Sequence, residues 1–318
     1  MLRRAFLKTA LKTGPALGLL AACGKSAKIR LALDWKPEPE FGGFYAARFE
    51  SNGVDQRGLD VEILPGGAGT PTVQMVGAGS AEFGIVAGDE LVVARSKGNN
   101  VVALFAVYQD SPLGIMAHAS RNLSSIGDVF KAGTVALQKG LPFAALLEKK
   151  YGFSHVRVVP SPNGDITAFL NDEMFAQQCY ITSEPLTARK KGVAVKTFPV
   201  SDTGFNPYST VLATSDETLH KNPDMVKSMV AAVREGWRAY LDDPKPTNEK
   251  MHQMNPSMDA DTFAEVAEVQ KPFIESDETG KNGLGTMTKA RWETLIAQLK
   301  DLGYIPAAIP AEECFREL

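Results

Sequence analysis

Short apolar runs alternate with amphipathic segments through the first two thirds of the chain, and this alternation restricts the possible folds more than any other feature. Strands are predicted at residues 29–33, 59–64, 83–86 and 101–107, with helices between them. A second block repeats the pattern, with strands at 114–117, 134–137, 156–159 and 178–181. Alternation with short loops favours mostly parallel sheets that are flanked by helices. We therefore predict an α/β protein with two similar sheets.

The pattern changes in the last third of the chain. One more strand is predicted at residues 209–213, and everything beyond it is helical. A chain of 318 residues exceeds what one core comfortably supports, so two lobes are expected. We assign residues 28–110 and 208–318 to lobe 1, which includes a helical C-terminal tail, and residues 111–207 to lobe 2.

Residues 1–22 have the features of a signal peptide: four basic residues, no acidic residue and a short apolar stretch. That stretch is too short to cross a bilayer, which takes about 20 apolar residues. "RRAFLK" resembles the twin-arginine export motif, but Leu2 stands where that motif usually has Ser or Thr, so the export route stays open. "LAAC" resembles a bacterial lipobox and makes Cys23 the predicted lipid attachment; an ordinary signal peptide with an incidental cysteine is the alternative. We expect a lipid anchor on a membrane face, with the body in the periplasm or at the cell envelope.

Charge and cysteine usage exclude several other classes. The chain has 34 basic and 37 acidic residues, and loss of the basic leader would make the remainder more acidic. Nucleic-acid binding requires a basic surface, so no nucleic-acid partner is expected. Cys179 and Cys314 could form a disulfide or lie separately in the core, and the sequence leaves both readings open. The four histidines lack metal-ligand spacing, so no metal site is predicted.

The first candidate for binding is the pair Asp34-Trp35, which follows the first predicted strand directly. Lys36 and Glu38 each precede a proline, which forces both into extended backbone. The segment therefore cannot wrap over Trp35 as a helix, and the ring is left at the end of a strand. Since open α/β sheets bind ligands outside the carboxyl ends of their strands, we predict that Trp35 borders a ligand cleft. The alternative is a tryptophan that packs inside its lobe.

Two predicted helix starts offer further candidates. Thr70 is predicted to cap a helix whose first residue is Pro71. In "GLP", Pro142 is predicted to open a helix, so Leu141 takes the cap position without being able to cap. The free N–H groups beside Gly140 and Leu141 would then bind water or a polar group of a ligand.

Four segments carry a resemblance to a known family. The chain reads "LDWKPEPEFGGFYAA", "GGAGTPTVQMVGAGSAEFGI", "YITSEPLTARKKG" and "DTGFNPYSTVLAT" in the order and spacing of the SsuA/ThiY-like solute-binding family. The resemblance implies a two-lobed periplasmic-binding-protein fold of type II, with hinge crossings near residues 108–112 and 199–208. It also implies a monomer that delivers a small organic solute to the permease and ATPase subunits of an ABC importer. Solutes of the family include pyrimidine precursors of thiamine, sulfonates and flavins.

The resemblance also implies which residues bind the solute. Trp35 takes the place of a stacking platform for a flat heteroaromatic ring, and Glu184 in "YITSEP" that of the partner of an aminopyrimidine. Glu184 could instead stabilise the first turn of a helix that Ser183 caps. The complete set of candidate ligand residues is Asp34, Trp35, Thr70, Asp89, Tyr108, Gly140, Leu141, Tyr180, Glu184 and Tyr208.

The same family contains the yeast thiamine-pyrimidine synthase, so an enzyme has to be considered. That branch carries a cysteine-rich run and a lysine for pyridoxal phosphate after a "GSG" turn. This chain has no such run and reads Gly79-Ser80-Ala81 at the corresponding place. The resemblance therefore implies a binding protein without a cofactor, specific for a thiamine-precursor-like solute. A riboflavin- or sulfonate-type receptor, a pyrimidine-forming enzyme and a lipoprotein without a transporter stay as alternatives.

Overall fold

The computed structural model describes residues 28–49 and 53–318, so the predicted signal peptide and Cys23 lie outside the described residues. Within these described residues, ten strands form two sheets of five. In chain order the strands are β1 (Ile29–Ala32), β2 (Val61–Leu64), β3 (Phe83–Val86), β4 (Val101–Tyr108), β5 (Leu113–His118), β6 (Thr134–Leu137), β7 (Arg157–Pro160), β8 (Phe175–Tyr180), β9 (Val195–Pro199) and β10 (Ser209–Ser215).

Each sheet is mostly parallel, as predicted, with one strand reversed. The first sheet has the order β2-β1-β3-β10-β4, and β10 runs antiparallel to both of its neighbours. The second sheet has the order β7-β6-β8-β5-β9, in which β5 is the reversed strand. In both sheets the reversed strand is the first one that the chain forms after passing over from the other sheet.

Helices flank both sheets, and the C-terminal region is helical as predicted. They are α1 (Gly42–Phe49), α2 (Thr72–Gly77), α3 (Gly88–Ser96), α4 (Ile126–Val129), α5 (Pro142–Tyr151), α6 (Thr167–Asn171), α7 (Glu184–Lys190), α8 (Asp216–Lys221), α9 (Pro223–Asp242), α10 (Lys245–Met254), α11 (Ala260–Val269), α12 (Lys271–Ile274), α13 (Asp277–Asn282), α14 (Lys289–Asp301) and α15 (Ala311–Cys314). Short 3-10 helices lie at Pro39–Phe41, Asp55–Arg57, Ala119–Arg121 and Val200–Thr203. In the described part of the chain, no helix is both long enough and apolar enough to span a bilayer.

The chain passes between the sheets twice, from β4 to β5 and from β9 to β10. Hydrogen bonds join the two crossings. The Asn206 side chain accepts from the Ser111 backbone N–H (2.9 Å) and donates to the Asp110 carboxylate (2.9 Å). The Ser209 hydroxyl donates to that of Ser111 (3.1 Å). The crossings therefore lie side by side, which is the arrangement that a two-segment hinge requires.

The close packing of α1 against α9 depends on glycine. A Cβ on Gly236 would lie 2.3 Å from the Gly43 carbonyl oxygen, and a Cβ on Gly43 would lie 2.2 Å from ring atoms of Trp237. Trp237 is fully buried and meets Phe44 edge-to-face at 5.8 Å between ring centroids. Two glycines thus let the helix backbones approach closely enough for Trp237 to fill the core beneath them.

The structure corrects some local predictions. The helix predicted to start at Pro71 starts at Thr72, and Thr70 does not cap it, because the Thr70 hydroxyl bonds to the Gly67 N–H (2.8 Å) and carbonyl (2.9 Å) instead. Strand β9 was not predicted from the sequence. Cys179 and Cys314 are both buried and free, so they are separate core residues and not a disulfide.

Candidate functional site

The segment after β1 is held extended by side chains from the C-terminal helices. The buried Asn255 donates to the carbonyl of Pro37 (3.1 Å), and the buried Gln270 donates to that of Pro39 (3.0 Å). A backbone hydrogen bond also holds the segment, since the Trp35 carbonyl accepts from the Gly66 N–H (2.9 Å). The segment is thus fixed at the carboxyl end of the first sheet, and it leaves the Trp35 ring only partly buried.

The second sheet presents Tyr180 and Glu184 to the same place. Tyr180 ends β8, and Glu184 is the first residue of α7. One Glu184 carboxylate oxygen accepts from the Tyr180 backbone N–H (2.9 Å), which fixes the carboxylate over the end of the strand. Ser183 takes the cap position of α7 but forms no side-chain cap bond there. The other carboxylate oxygen, Oε1, lies on the side of Gly164.

Trp35 and Glu184 meet across the gap between the sheets at Gly164. A Cβ placed on Gly164 would lie 3.7 Å from Trp35 Cζ2 and 4.0 Å from Glu184 Oε1. Gly164 has φ +85°, a left-handed conformation that favours glycine, and it lies in the loop before α6. The indole, the carboxylate and the bare backbone of Gly164 therefore line one space between the two sheets.

Tyr108 supports the site from below and does not line it. It is fully buried, its hydroxyl donates to Gln270 (2.7 Å), and its ring meets the Tyr180 ring edge-to-face at 6.4 Å. Because Gln270 also holds the Pro39 carbonyl, one buried amide joins the last residue of β4 to the segment that carries Trp35. Tyr180 keeps more exposure than Tyr108.

Carboxylic acids are concentrated around this space. Burial raises the pKa of Asp34, Asp89 and Glu184 to about 7. Burial also raises the pKa of Glu38 to about 7, with repulsion from Glu184 as the second cause, and raises that of Glu40 well above its usual range. The repulsion between Glu38 and Glu184 acts between the two sheets, so ionisation of one group disfavours ionisation of the other.

Lys36 lowers the pKa of Glu38, but burial and repulsion from Glu184 outweigh its effect. The Lys36 ammonium lies 5.8 Å from the Trp35 ring centroid, and the Trp35 indole donates a hydrogen bond to Glu38. A group that brings hydrogen-bond donors or positive charge into this space would therefore relieve both burial and repulsion.

Four of the sequence candidates lie elsewhere. Tyr208 is buried behind the crossings, where its hydroxyl accepts from the Thr288 N–H (3.0 Å) and its ring contacts Trp292, so it presents no open face to a cleft. Thr70 is engaged with its own turn, as described above. Leu141 does precede α5 without a side-chain cap, as predicted, but it packs against a hydrophobic cluster, and a Cβ on Gly140 would meet no atom within 4 Å.

Sequence reasoning missed several acids and one glycine. Glu38, Glu40 and Glu90 were not among the sequence candidates, although Glu38 stands between two prolines, which was a signal that its backbone is fixed. Repulsion from Glu90 contributes to the raised pKa of both Asp34 and Asp89. Gly164 gave no signal beyond its place in the turn "PNGD".

Metal binding has no structural support within the described ranges. No group of three or more His, Cys, Asp or Glu side chains there is arranged to hold a metal ion. Three of the four histidines bond to backbone carbonyls: His118 to Phe169, His220 to Asp216 and His252 to Met258.

Two named proteins are similar to this chain over most of its length. A riboflavin-binding protein, RibY, from Chloroflexus aurantiacus is 24% identical over 95% of this chain and 90% of its own length. A formylaminopyrimidine-binding protein from Halalkalibacterium halodurans is 22% identical over 91% of this chain and 90% of its own.

Among solved structures, the alkanesulfonate-binding protein SsuA from Xanthomonas axonopodis pv. citri, bound to MOPS, superposes with a TM-score of 0.69. It has 12% sequence identity, over 92% of this chain and 99% of that one. The likeness confirms the periplasmic-binding-protein fold that the sequence predicted. The family model described as "NMT1/THI5 like" matches residues 38–247, which include Glu38, Tyr180 and Glu184 and most of both sheets. The chain therefore belongs to the NMT1/THI5-like family.

Proposed function

We propose that this protein is the solute-binding component of an ABC importer and that it binds a flat, amine-bearing heteroaromatic solute between its two sheets. The observation that carries the proposal is the meeting of Trp35 and Glu184 beside Gly164, because the two side chains come from opposite sheets. An aromatic face and a carboxylate at this separation suit a ring with an amine substituent. The ring stacks on the indole while the amine donates to the carboxylate.

The sign of the charge favours amines over anionic solutes. Asp34, Glu38, Glu40 and Glu184 surround the space, and a sulfonate or phosphate would meet their repulsion wherever they are ionised. An amine or a protonated ring nitrogen is attracted by the same groups and brings them a further hydrogen-bond donor. The family member named a formylaminopyrimidine-binding protein supports a pyrimidine as the ring.

Riboflavin is the second candidate solute. The relative that is named a riboflavin-binding protein matches 95% of this chain. A flavin also has a flat ring for Trp35, and its ribityl hydroxyls can donate to carboxylates. It lacks a basic amine, however, so it would leave the repulsion between Glu38 and Glu184 in place.

The remaining parts of the proposal follow the sequence predictions. We propose that Cys23 carries a lipid that anchors the protein to the membrane, that the protein is a monomer without a cofactor, and that it passes its solute to a permease and an ATPase. Residues 28–110 and 208–318 would form one lobe and residues 111–207 the other, closing by bending at the two crossings. The binding of an unchanged solute, without turnover, distinguishes this function from that of a pyrimidine-forming enzyme.

Two measurements test the proposal. Native mass spectrometry of gently purified protein would reveal a co-purifying solute. Calorimetry would then compare an aminopyrimidine, the same ring without its exocyclic amine, riboflavin and an alkanesulfonate. We expect the aminopyrimidine to bind at least about tenfold more tightly than its deamino analogue, since a charge-assisted hydrogen bond contributes about 1.5–3 kcal/mol.

The outcomes separate the candidates. Tightest binding of riboflavin would select the second candidate, and tightest binding of the alkanesulfonate would refute the argument from charge. Chemical conversion of a bound pyrimidine would refute a transport role.

A further inference from the structure

Lys190, the last residue of α7, contacts two residues of α11 and Asp259, the residue that caps its start. Its ammonium nitrogen lies 2.7 Å from the Thr262 hydroxyl, 3.3 Å from an Asp259 oxygen and 3.7 Å from a Glu265 oxygen. Asp259 also accepts hydrogen bonds from the backbone N–H (2.8 Å) and the hydroxyl (2.7 Å) of Thr262. Asp259 and Thr262 are thus held to each other at the start of α11, independently of Lys190.

These contacts join the two sides of the cleft. Helix α7 packs on β8 and β9 of the second sheet. Helix α11 packs on the 3-10 helix Pro39–Phe41 and on α10, which in turn packs on α1 beside the first sheet. A motion that separates the sheets must therefore break the Lys190 contacts or distort one of the two helices.

Each helix also carries part of the candidate site. Helix α7 begins with Glu184, about 10 Å from its other end at 1.5 Å per residue, and a helix this short moves as one body. Helix α11 ends just before Gln270, which holds the Pro39 carbonyl and the Tyr108 hydroxyl. The Lys190 contact thus joins α7, which carries Glu184, to α11, whose following residue Gln270 holds the segment from Trp35 to Pro39 (the Trp35 segment).

We propose that Lys190 is a positioning residue that stabilises the closed arrangement by binding Asp259, Thr262 and Glu265, and so holds Glu184 against the Trp35 segment. Only the role of Glu184 as a solute contact rests on the proposed function; the closing role of Lys190 does not. The hydrogen bond from Thr262, helped by Lys190, lowers the pKa of Asp259 to about 2. Asp259 is therefore ionised at every pH at which the protein would be studied, and the contact does not depend on a proton.

The experiment measures closure without any solute. Ala68 and Lys139 are exposed and lie beyond the carboxyl ends of β2 and β6, so spin labels at Ala68→Cys and Lys139→Cys report on the separation of the sheets. The labels are placed in full-length protein with Cys23→Ser, since Cys179 and Cys314 are buried. Double electron–electron resonance then gives the distribution of distances between the two labels. The ratio of its short and long components is the closed-to-open ratio.

Lys190→Met keeps the aliphatic stem and removes the charge. We expect it to lower the closed-to-open ratio by about two- to fivefold, the range for a partly exposed ion pair. Lys190→Arg should restore most of the ratio. Thr262→Val removes the same contact from the α11 side and should act in the same direction. Lys271→Met is the matched control, because Lys271 has a similar exposure (28% against 33%) but pairs with Glu268 on the same side of the cleft.

An unchanged distribution in both Lys190→Met and Thr262→Val would overturn the proposal, and so would an equal change in Lys271→Met. Failure of the proposed function gives a different result: no solute of the panel would bind the parent protein, while the distance distribution would still respond to Lys190→Met.

Discussion

Replacement of Glu184 by glutamine should have opposite effects on folding stability and on solute binding. The amide oxygen of glutamine can still accept from the Tyr180 N–H, so the start of α7 is preserved. The substitution removes the negative charge and replaces one carboxylate oxygen, an acceptor, by an NH2 group, a donor. Burial raises the pKa of Glu184 from 4.5 to about 7, which means that the ionised form is disfavoured in the folded protein.

The sign and the size of the stability effect follow from this pKa. A group whose pKa is raised by folding costs no stability below the unfolded value, a growing amount between 4.5 and about 7, and the full amount above about 7. A shift of this size corresponds to at most about 3 kcal/mol, and partial exposure of the side chain reduces it to about 1–2 kcal/mol. Glu184→Gln should therefore raise the melting temperature at pH 8 by about 2–6 °C and leave it nearly unchanged at pH 4.5.

Differential scanning calorimetry of the solute-free protein at both pH values tests the predicted effect on folding stability. Titration with an aminopyrimidine at pH 8 tests the second, where we expect binding to weaken by about 1.5–3 kcal/mol. Glu249→Gln, an exposed carboxylate on α10, is the control and should change neither quantity. Equal destabilisation at both pH values would show that Glu184 is needed for packing, and unchanged affinity would show that it does not contact the solute.

Four further predictions concern separate features. Trp35→Ala should weaken the binding of every accepted solute by about 1–3 kcal/mol, measured by calorimetry; unchanged affinity in a folded variant would mean that Trp35 only packs. Affinity for an amine-bearing solute should rise from about pH 5 to pH 7, because the carboxyl group of Asp34 ionises near pH 7, and a flat profile would count against that role. Gly236→Ala should destabilise the fold by about 3 kcal/mol in urea unfolding, since its Cβ meets the Gly43 carbonyl; a wild-type midpoint would refute that close approach. Cys23→Ser should release the protein from membranes, and retention after a carbonate wash would contradict the lipid anchor.

The fold was predictable where the spacing of apolar residues distinguishes a strand from a helix. Buried parallel strands read as continuous apolar runs, and this is why β3 and β6 were predicted to the residue. Strand β9 was missed because VKTFP is neither a continuous apolar run nor a clear alternation: exposed Lys196 and buried Phe198 lie on the same face, at the edge of the sheet. The cap at Thr70 was wrong because a hydroxyl can bond to its own turn as readily as to a helix, and local sequence does not decide between the two.

The site was predictable only in part. Trp35, Tyr180 and Glu184 stand at strand ends in segments with family resemblance, so their places could be inferred. The role of Glu38 and Glu40 could not, because an acid becomes unusual only through what surrounds it, and here the surroundings come from β8, α7 and the C-terminal helices. The position of Tyr208 could not be inferred for the same reason: the backbone N–H of Thr288, 80 residues away in sequence, donates a hydrogen bond to its hydroxyl.

The insertion of β10 between β3 and β4 has a consequence for how the chain folds. Until residues 209–215 arrive, β3 and β4 each present an unpaired edge, whereas all five strands of the second sheet lie within one continuous stretch, from β5 to β9. Long-range pairing is slow, and open edges invite association with other chains. In refolding followed by pulsed hydrogen exchange, amides of β5, β6 and β8 should gain protection before those of β3 and β4. A shortened chain that ends before Ser209 should retain the second sheet and aggregate through the first.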